Sequence, residues 1–275
     1  MKEPIKIVID ANTVKSQYWR DIWRFKDLLY FLSWRDILVR YKQTTIGIAW
    51  AVIRPLLTMF IFTFVFEHVA KLPSNGVPYP VMIFAAMLPW YFFSSAFSES
   101  ANSLIANSNM ISKIYFPRLI IPASTIAVCL VDFFISFLIM IGLMAWYGIA
   151  PTPRILALPL FILFACLASF GVGIWFAALN VKYRDFRYVV PFITQIGLYI
   201  SPVGFSSSVV PEQWHIFYYA NPMVSVIDGF RWSLLGTSFD IYLPGLLVSL
   251  CFVFIILMSG ISFFRRTEDT FADII

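Results

Sequence analysis

Apolar stretches near residues 48–69, 79–99, 119–147, 155–180, 188–206 and 241–264 make up most of this chain. A helix rising about 1.5 Å per residue needs roughly 20 apolar residues to cross a hydrocarbon core of about 30 Å. Most of the six stretches meet that length. The third exceeds it, which implies tilt or protrusion. Within lipid every backbone N–H and C=O must be satisfied by the chain itself, so such runs fold as helices. The fifth is interrupted by Pro191, Gly197, Pro202 and Gly204 and is the weakest of the set. Composition excludes a water-soluble alternative: 60% of residues are hydrophobic, 13% are charged, and mean hydropathy is +0.81. So few charges cannot cover a soluble domain of 275 residues. The expected fold is an all-α polytopic membrane protein with six transmembrane helices.

Charge placement orients those helices. With the N-terminus inside, the cytoplasmic segments are 1–47, 100–118, 181–187 and 265–275, which hold nine, two, three and two Lys or Arg residues. The outer segments 70–78, 148–154 and 207–240 hold one each, Lys71, Arg154 and Arg231, and Arg54 lies in the first span. This asymmetry places both termini in the cytoplasm. It also accounts for the net charge of +5 without nucleic acid, since the inner face of a membrane is anionic. Three organisational units result: a cytoplasmic segment 1–47, a membrane body 48–264 and a tail 265–275. No signal peptide is expected in the first 45 residues, which lack a short apolar core. Cys129, Cys166 and Cys251 all sit in apolar runs and read as small hydrophobes, without disulfide or zinc spacing.

Three segments outside the spans carry pattern. From Trp19, one face of a helix holds Trp19, Ile22, Trp23, Phe25, Leu29 and Leu32, while Arg20, Arg24 and Asp27 share the other. Trp and Arg in that arrangement suit a helix lying in the membrane interface, or one packed on the protein. In 98–118, Ala101, Leu104, Ile105 and Ile111 recur at helical spacing against a Ser/Asn face. Either a protein partner buries that face or the segment is an interfacial connector. Segment 207–240 is long and only partly polar, with Pro211, Trp214, Phe217, Tyr218, Tyr219, Pro222 and Trp232. It reads as short re-entrant helices dipping into the outer half of the membrane, or as a folded outer cap.

Catalytic patterns are missing. No Gly is followed by Lys, so the phosphate-cradling GxxxxGK[ST] loop is absent; the two histidines, His68 and His215, are far apart; and there is no GxSxG elbow. Among polar residues in the spans, Asp132 must face protein or water, as pore group, helix contact or hydrogen-bonded structural residue. Arg54 either snorkels to the inner surface or meets an anionic lipid phosphate. Trp90-Tyr91-Phe92-Phe93 lies deep in the second span, after Pro89, where aromatics either pack the bundle or line a path suited to sugar rings.

The runs Trp34-Arg35-Asp36-Ile37-Leu38-Val39-Arg40-Tyr41-Lys42-Gln43-Thr44, Ser112-Lys113-Ile114-Tyr115-Phe116-Pro117-Arg118 and Asn180-Val181-Lys182-Tyr183-Arg184-Asp185-Phe186-Arg187 resemble permease subunits of ABC exporters for polysaccharides. So do Ser201-Pro202-Val203, Asn221-Pro222-Met223 and Asp228-Gly229-Phe230-Arg231-Trp232. The resemblance is closest to O-antigen (lipopolysaccharide) export permeases, with capsule and teichoic-acid permeases near them, and it extends in order over almost the whole chain. It implies a bacterial inner-membrane homodimer bound to two cytosolic ATP-binding subunits, with ATP and Mg held by those partners and no cofactor in this chain. It makes 19–32 an interface helix. It makes 98–118 a coupling helix, with Leu104, Ile105, Asn109, Ile111 and Lys113 as its contact residues. It makes 207–240 a pair of re-entrant outer gate helices, with Trp214, Tyr218, Asn221 and Pro222 at the gate. The substrate it implies is a polyprenyl-pyrophosphate-linked polysaccharide, and the path residues are Trp90, Tyr91, Phe93, Asp132 and Arg54. Other functions consistent with the composition are an ABC exporter of drugs or lipids, and a membrane-embedded enzyme acting on glycolipids. The latter needs a paired acidic or metal-binding site, whereas Glu212, Asp228 and Asp240 are widely spaced.

Overall fold

The computed structural model describes residues 14–42 and 47–271, and every regular element among them is helical. In chain order the α-helices are α1 (Val14–Arg24), α2 (Lys26–Lys42), α3 (Gly47–Thr63), α4 (Tyr79–Ala106), α5 (Ser108–Ile111), α6 (Ile120–Trp146), α7 (Leu158–Lys182), α8 (Phe186–Ile200), α9 (His215–Tyr218), α10 (Pro222–Leu235) and α11 (Leu243–Thr267). The expected cytoplasmic ends at 1–13 and 272–275, and Gln43 and Thr44 of the first quoted run, lie outside the described residues.

Among the described residues, five helical stretches are long and apolar enough to cross a membrane: Val52–Val69, Tyr79–Ala106, Ile120–Trp146, Pro153–Lys182 and Leu243–Thr270. The expected sixth is different. α8 has 15 residues, so it spans about 22 Å and falls short of a full hydrocarbon core by itself. Its C-terminus is the Ser201–Pro202 step, which leaves α-helical geometry because proline offers no N–H to continue the ladder.

α4 is the hub. Its span is 72% buried, against 6% for Val52–Val69 and 17% for Leu243–Thr270. It packs most extensively on α7 and α6, and α7 in turn carries α11. The α7–α11 contact is close because both helices are small there: a Cβ on Gly260 would come within 2.9 Å of the Gly171 carbonyl oxygen. Where lipid is as apolar as any side chain, close backbone approach of this kind drives helix association. Trp175 then stacks on Phe263 at 4.4 Å and donates its indole N–H to Ser259 Oγ at 3.0 Å. α10, almost wholly buried, inserts between α4, α7 and α11, and Phe133 links it to α6 and α4 through edge contacts with Phe230 and Phe92.

Several boundaries move relative to the sequence reading. α4 does not stop near residue 99 but runs on to Ala106, about 42 Å in length, because no Gly or Pro separates the apolar span from its Ser/Asn-rich continuation and the one charge at the junction, Glu99, is paired with Arg40. The N-terminal interface segment is two helices with a turn at Phe25, and the second continues to Lys42 along α6. Cys129 is buried and Cys166 half-buried, but Cys251 is exposed on the outer surface of α11, so only the first two serve as interior hydrophobes.

Candidate functional site

Three clusters gather the residues singled out above. The first closes the outer end. The break after α8 leaves carbonyls without helical partners, and the 207–240 segment supplies donors to them. Arg231, fully buried on α10, donates from its two terminal nitrogens to Phe205 O at 2.8 Å and Val203 O at 3.1 Å, while Nε points to Met82 O at 3.4 Å. Tyr218 donates to Ile200 O at 3.0 Å, and Tyr79 to Gly204 O at 3.0 Å. Asn221 accepts from Met223 N at 3.1 Å, which caps α10, and donates to Ser201 Oγ at 2.9 Å; Pro222 follows as the first helical residue. Asp228, also buried, accepts from Tyr219 Oη at 2.7 Å. Trp214 stands apart, 55% exposed, with its ring 5.9 Å from that of Phe217. Arg231 is therefore not an outer-loop charge, as a count along the sequence makes it, but an interior donor.

The second cluster is aromatic and joins α3, α4 and α8. Trp90 is buried, 5.6 Å from the Phe93 ring, and Phe93 continues to Phe97 at 6.1 Å. Trp90 fits only because position 197 lacks a side chain: a Cβ on Gly197 would lie 2.5 Å from the Trp90 ring. Tyr91 and Phe93 are half-buried, and the exposed Arg54 guanidinium lies 6.0 Å from the Tyr91 ring centre. The structure thus brings together Arg54, Trp90, Tyr91 and Phe93, with Trp90 shut in by α8 in this conformation.

Asp132 does not join them. It belongs to a third, ionic cluster that sequence reasoning missed. Arg40 of α2 reaches Asp132 of α6 with one terminal nitrogen and Glu99 of α4 with the other, and Tyr41 donates its hydroxyl to Asp132. Burial opposes the Arg40 charge, but the two carboxylates outweigh it and push its proton affinity above the usual arginine value. Burial and the Asp132 hydrogen bond likewise raise the Tyr41 phenol. Five residues before Arg40, Arg35 donates to Asn107 Oδ1 at 3.1 Å, at the joint between α4 and α5. α2 is thereby clamped to the lower end of α4 at two points.

That lower end also changes which residues of 98–118 face outward. The expected contact face of Ala101, Leu104 and Ile111 is buried within the chain, in clusters formed with α7, α11 and α2 residues such as Phe176, Ala177, Phe264 and Leu32. Ile105 is half-buried. The apolar periodicity is an intramolecular signal: Ala106, Asn109, Ser112, Lys113, Ile114 and Tyr115 are the exposed residues of the segment.

A family described as ABC-2 type transporter matches residues 27–235. The chain belongs to that family. It is 30% identical over 258 residues to the O-antigen export system permease protein RfbA of Klebsiella pneumoniae, covering 90% of this chain and 95% of that protein. It is 25% identical to the protein of the same name from Myxococcus xanthus, covering 92% and 97%. With the polysialic acid transport protein KpsM of Escherichia coli it shares 23% identity over 86% and 91% of the two chains.

In this ABC-2 transporter, a multi-pass membrane protein, the matched region holds all three clusters. Among the described residues no group of three or more His, Cys, Asp or Glu side chains forms a metal-binding set. The donors and carboxylates of the outer cluster and of the Arg40 junction are spent on one another and on carbonyls. The Arg40–Glu99–Asp132 junction has a sequence signal, two carboxylates on largely apolar helices that each need a counter-charge, but nothing in spacing alone pairs residues 59 and 92 positions apart.

Proposed function

We propose that this chain is the membrane subunit of an ATP-driven exporter that moves a polyprenyl-pyrophosphate-linked polysaccharide, an O antigen, outward across the bacterial inner membrane. The observation that carries this reading is similarity over nearly full length to two proteins named as O-antigen export permeases, joined to one named for polysialic acid transport. In this reading α8 and the turn after it complete a sixth crossing, both termini are cytoplasmic, and α9 and α10 re-enter from the outer side. Two copies form the channel, each bound to a separate cytosolic subunit that holds ATP and Mg. α3 and α8 supply the dimer face, since Val52–Val69 is 6% buried and α8 buries only Val190. They flank the aromatic row, which places Arg54, Tyr91 and Phe93 beside the path of a lipid-linked glycan, with Trp90 released to it when α8 moves. Sugar C–H faces stack on such rings while their hydroxyls find hydrogen bonds.

This division of labour is tested by purifying the chain alone and with the ATP-binding subunit that co-assembles with it. The complex should hydrolyse ATP and the isolated chain should show only background turnover; substantial hydrolysis by the clean chain sinks the proposal. The path is tested by Trp90→Ala combined with Phe93→Ala. Export should fall at least several-fold while the variant still inserts and binds its partner. A variant that fails to assemble at all assigns these rings to packing.

A further inference from the structure

α11 ends where its apolar run reaches Arg265 and Arg266. Phe254, Met258, Ile261 and Arg265 follow one another at helical spacing, and the first two are exposed on the surface of the bundle. An apolar stripe of this kind faces lipid, and the cations that close it lie at headgroup level. A cavity of about 560 Å³ opens there, between α1, the end of α11 and the 114–118 connection. That volume is in the range of small-molecule sites, about 300–1,000 Å³. Ile261 lines the cavity, so the stripe runs into its wall. On α1, Trp19 and Trp23 are exposed beside the cavity residues Tyr18 and Asp21, which sets this helix at the same depth.

The charges around the cavity are balanced, with Arg118, Arg265 and Arg266 against Asp21, Glu268 and Asp269. Part of that set is already engaged. Glu268 Oε1 accepts from the Arg118 backbone N–H at 2.8 Å, and its carbonyl oxygen accepts from the Arg118 guanidinium. The Arg265 guanidinium lies 4.7 Å from the Tyr18 ring centre, and Asp21 is 3.5 Å from Arg24. Arg266 and Asp269, both exposed, stand at the mouth with opposite signs. We propose that the cavity binds the headgroup of a zwitterionic aminophospholipid, with its phosphate on Arg266 and Arg265 and its ammonium on Asp269. In the proposed orientation of the chain this lipid comes from the cytoplasmic leaflet. A purely anionic headgroup meets the arginines but also the carboxylates, whereas a zwitterion is attracted by both. A soluble zwitterion has no acyl chains to lay on Phe254 and Met258. The bound lipid joins α1 to the end of α11 and to the 114–118 connection.

The test is native mass spectrometry of the full-length chain, stripped of lipid and then given phosphatidylethanolamine or phosphatidylglycerol in equal amounts. The wild type should retain the ethanolamine lipid about threefold better than the glycerol lipid, the scale of one exposed charge pair. Asp269→Lys should reverse that preference, and Arg266→Gln should weaken retention of both lipids about threefold. Both side chains are exposed, so neither substitution disturbs the core. In intact membranes, benzoylphenylalanine replacing Ile261 should capture phospholipid. A wild type without preference, or a preference that Asp269→Lys leaves unmoved, overturns the site. Capture of a protein instead of phospholipid at position 261 assigns the cavity to a protein partner and also overturns it. None of these results bears on export, which is read from surface polysaccharide.

Discussion

Arg231→Ala is expected to destabilise the protein by about 3–5 kcal/mol, the scale of removing one partner from a buried polar network. Arg231 is fully buried and its guanidinium addresses the carbonyls of Val203, Phe205 and Met82. Truncation strands three acceptors and leaves the buried Asp228 without its nearby cation. In a thermal unfolding experiment on the purified protein the midpoint should drop by roughly 10 °C. Arg231→Lys should fall between wild type and Ala, because one ammonium cannot hold a fork of carbonyls. Tyr218→Phe, which deletes a single bond to Ile200 O, should cost only about 1 kcal/mol. An unchanged midpoint for Arg231→Ala would show that the outer end does not depend on this guanidinium.

Arg40→Glu should act differently, on coupling more than on stability. Arg40, Glu99 and Asp132 side chains are each about one-third exposed (33%, 34% and 31%), so deleting the cation with Ala should cost no more than about 1 kcal/mol. Charge reversal instead sets three carboxylates against one another and drives α2 away from α4 and α6. Since Glu99 lies on the same unbroken helix as Leu104 and the α5 joint, α2 can no longer follow a displacement of that joint. Export by the complex should fall at least about tenfold while ATP hydrolysis continues. The swap Arg40→Glu with Glu99→Arg again places one cation between two carboxylates and should recover much of the lost export. Failure of the swap, with equal loss of hydrolysis and export, would make the junction a matter of folding alone.

The helices were the easiest feature to read. Long apolar runs without competing polar groups leave a chain in lipid little choice, and the ends of α6 and α7 fall within a few residues of the expected 119–147 and 155–180. α6 even stops for a visible reason: Gly148 takes φ +68°, and Ile149 N bonds back to Met144 O at 2.9 Å. Pairing was harder. An apolar face in 98–118 signals burial but not by what, and Leu104 and Ile111 turned inward where a partner was expected. Asp132 needs protein or water wherever it lies in an apolar run, yet its counter-ion, Arg40, reads along the sequence as one more charge that orients the chain. Arg231 reads the same way, because a cation in a loop-like segment looks solvated until carbonyls of distant residues surround it. Charge and period are local properties, whereas these contacts depend on helices that meet only after folding.

Export of a lipid-linked glycan is checked by deleting the gene for this chain and measuring surface polysaccharide together with polyprenyl-pyrophosphate-linked glycan inside the cell. Loss of the surface polymer, accumulation of the lipid-linked form on the inner side, and restoration of both by the wild-type chain are expected. Unchanged surface polysaccharide with no inner accumulation would contradict it.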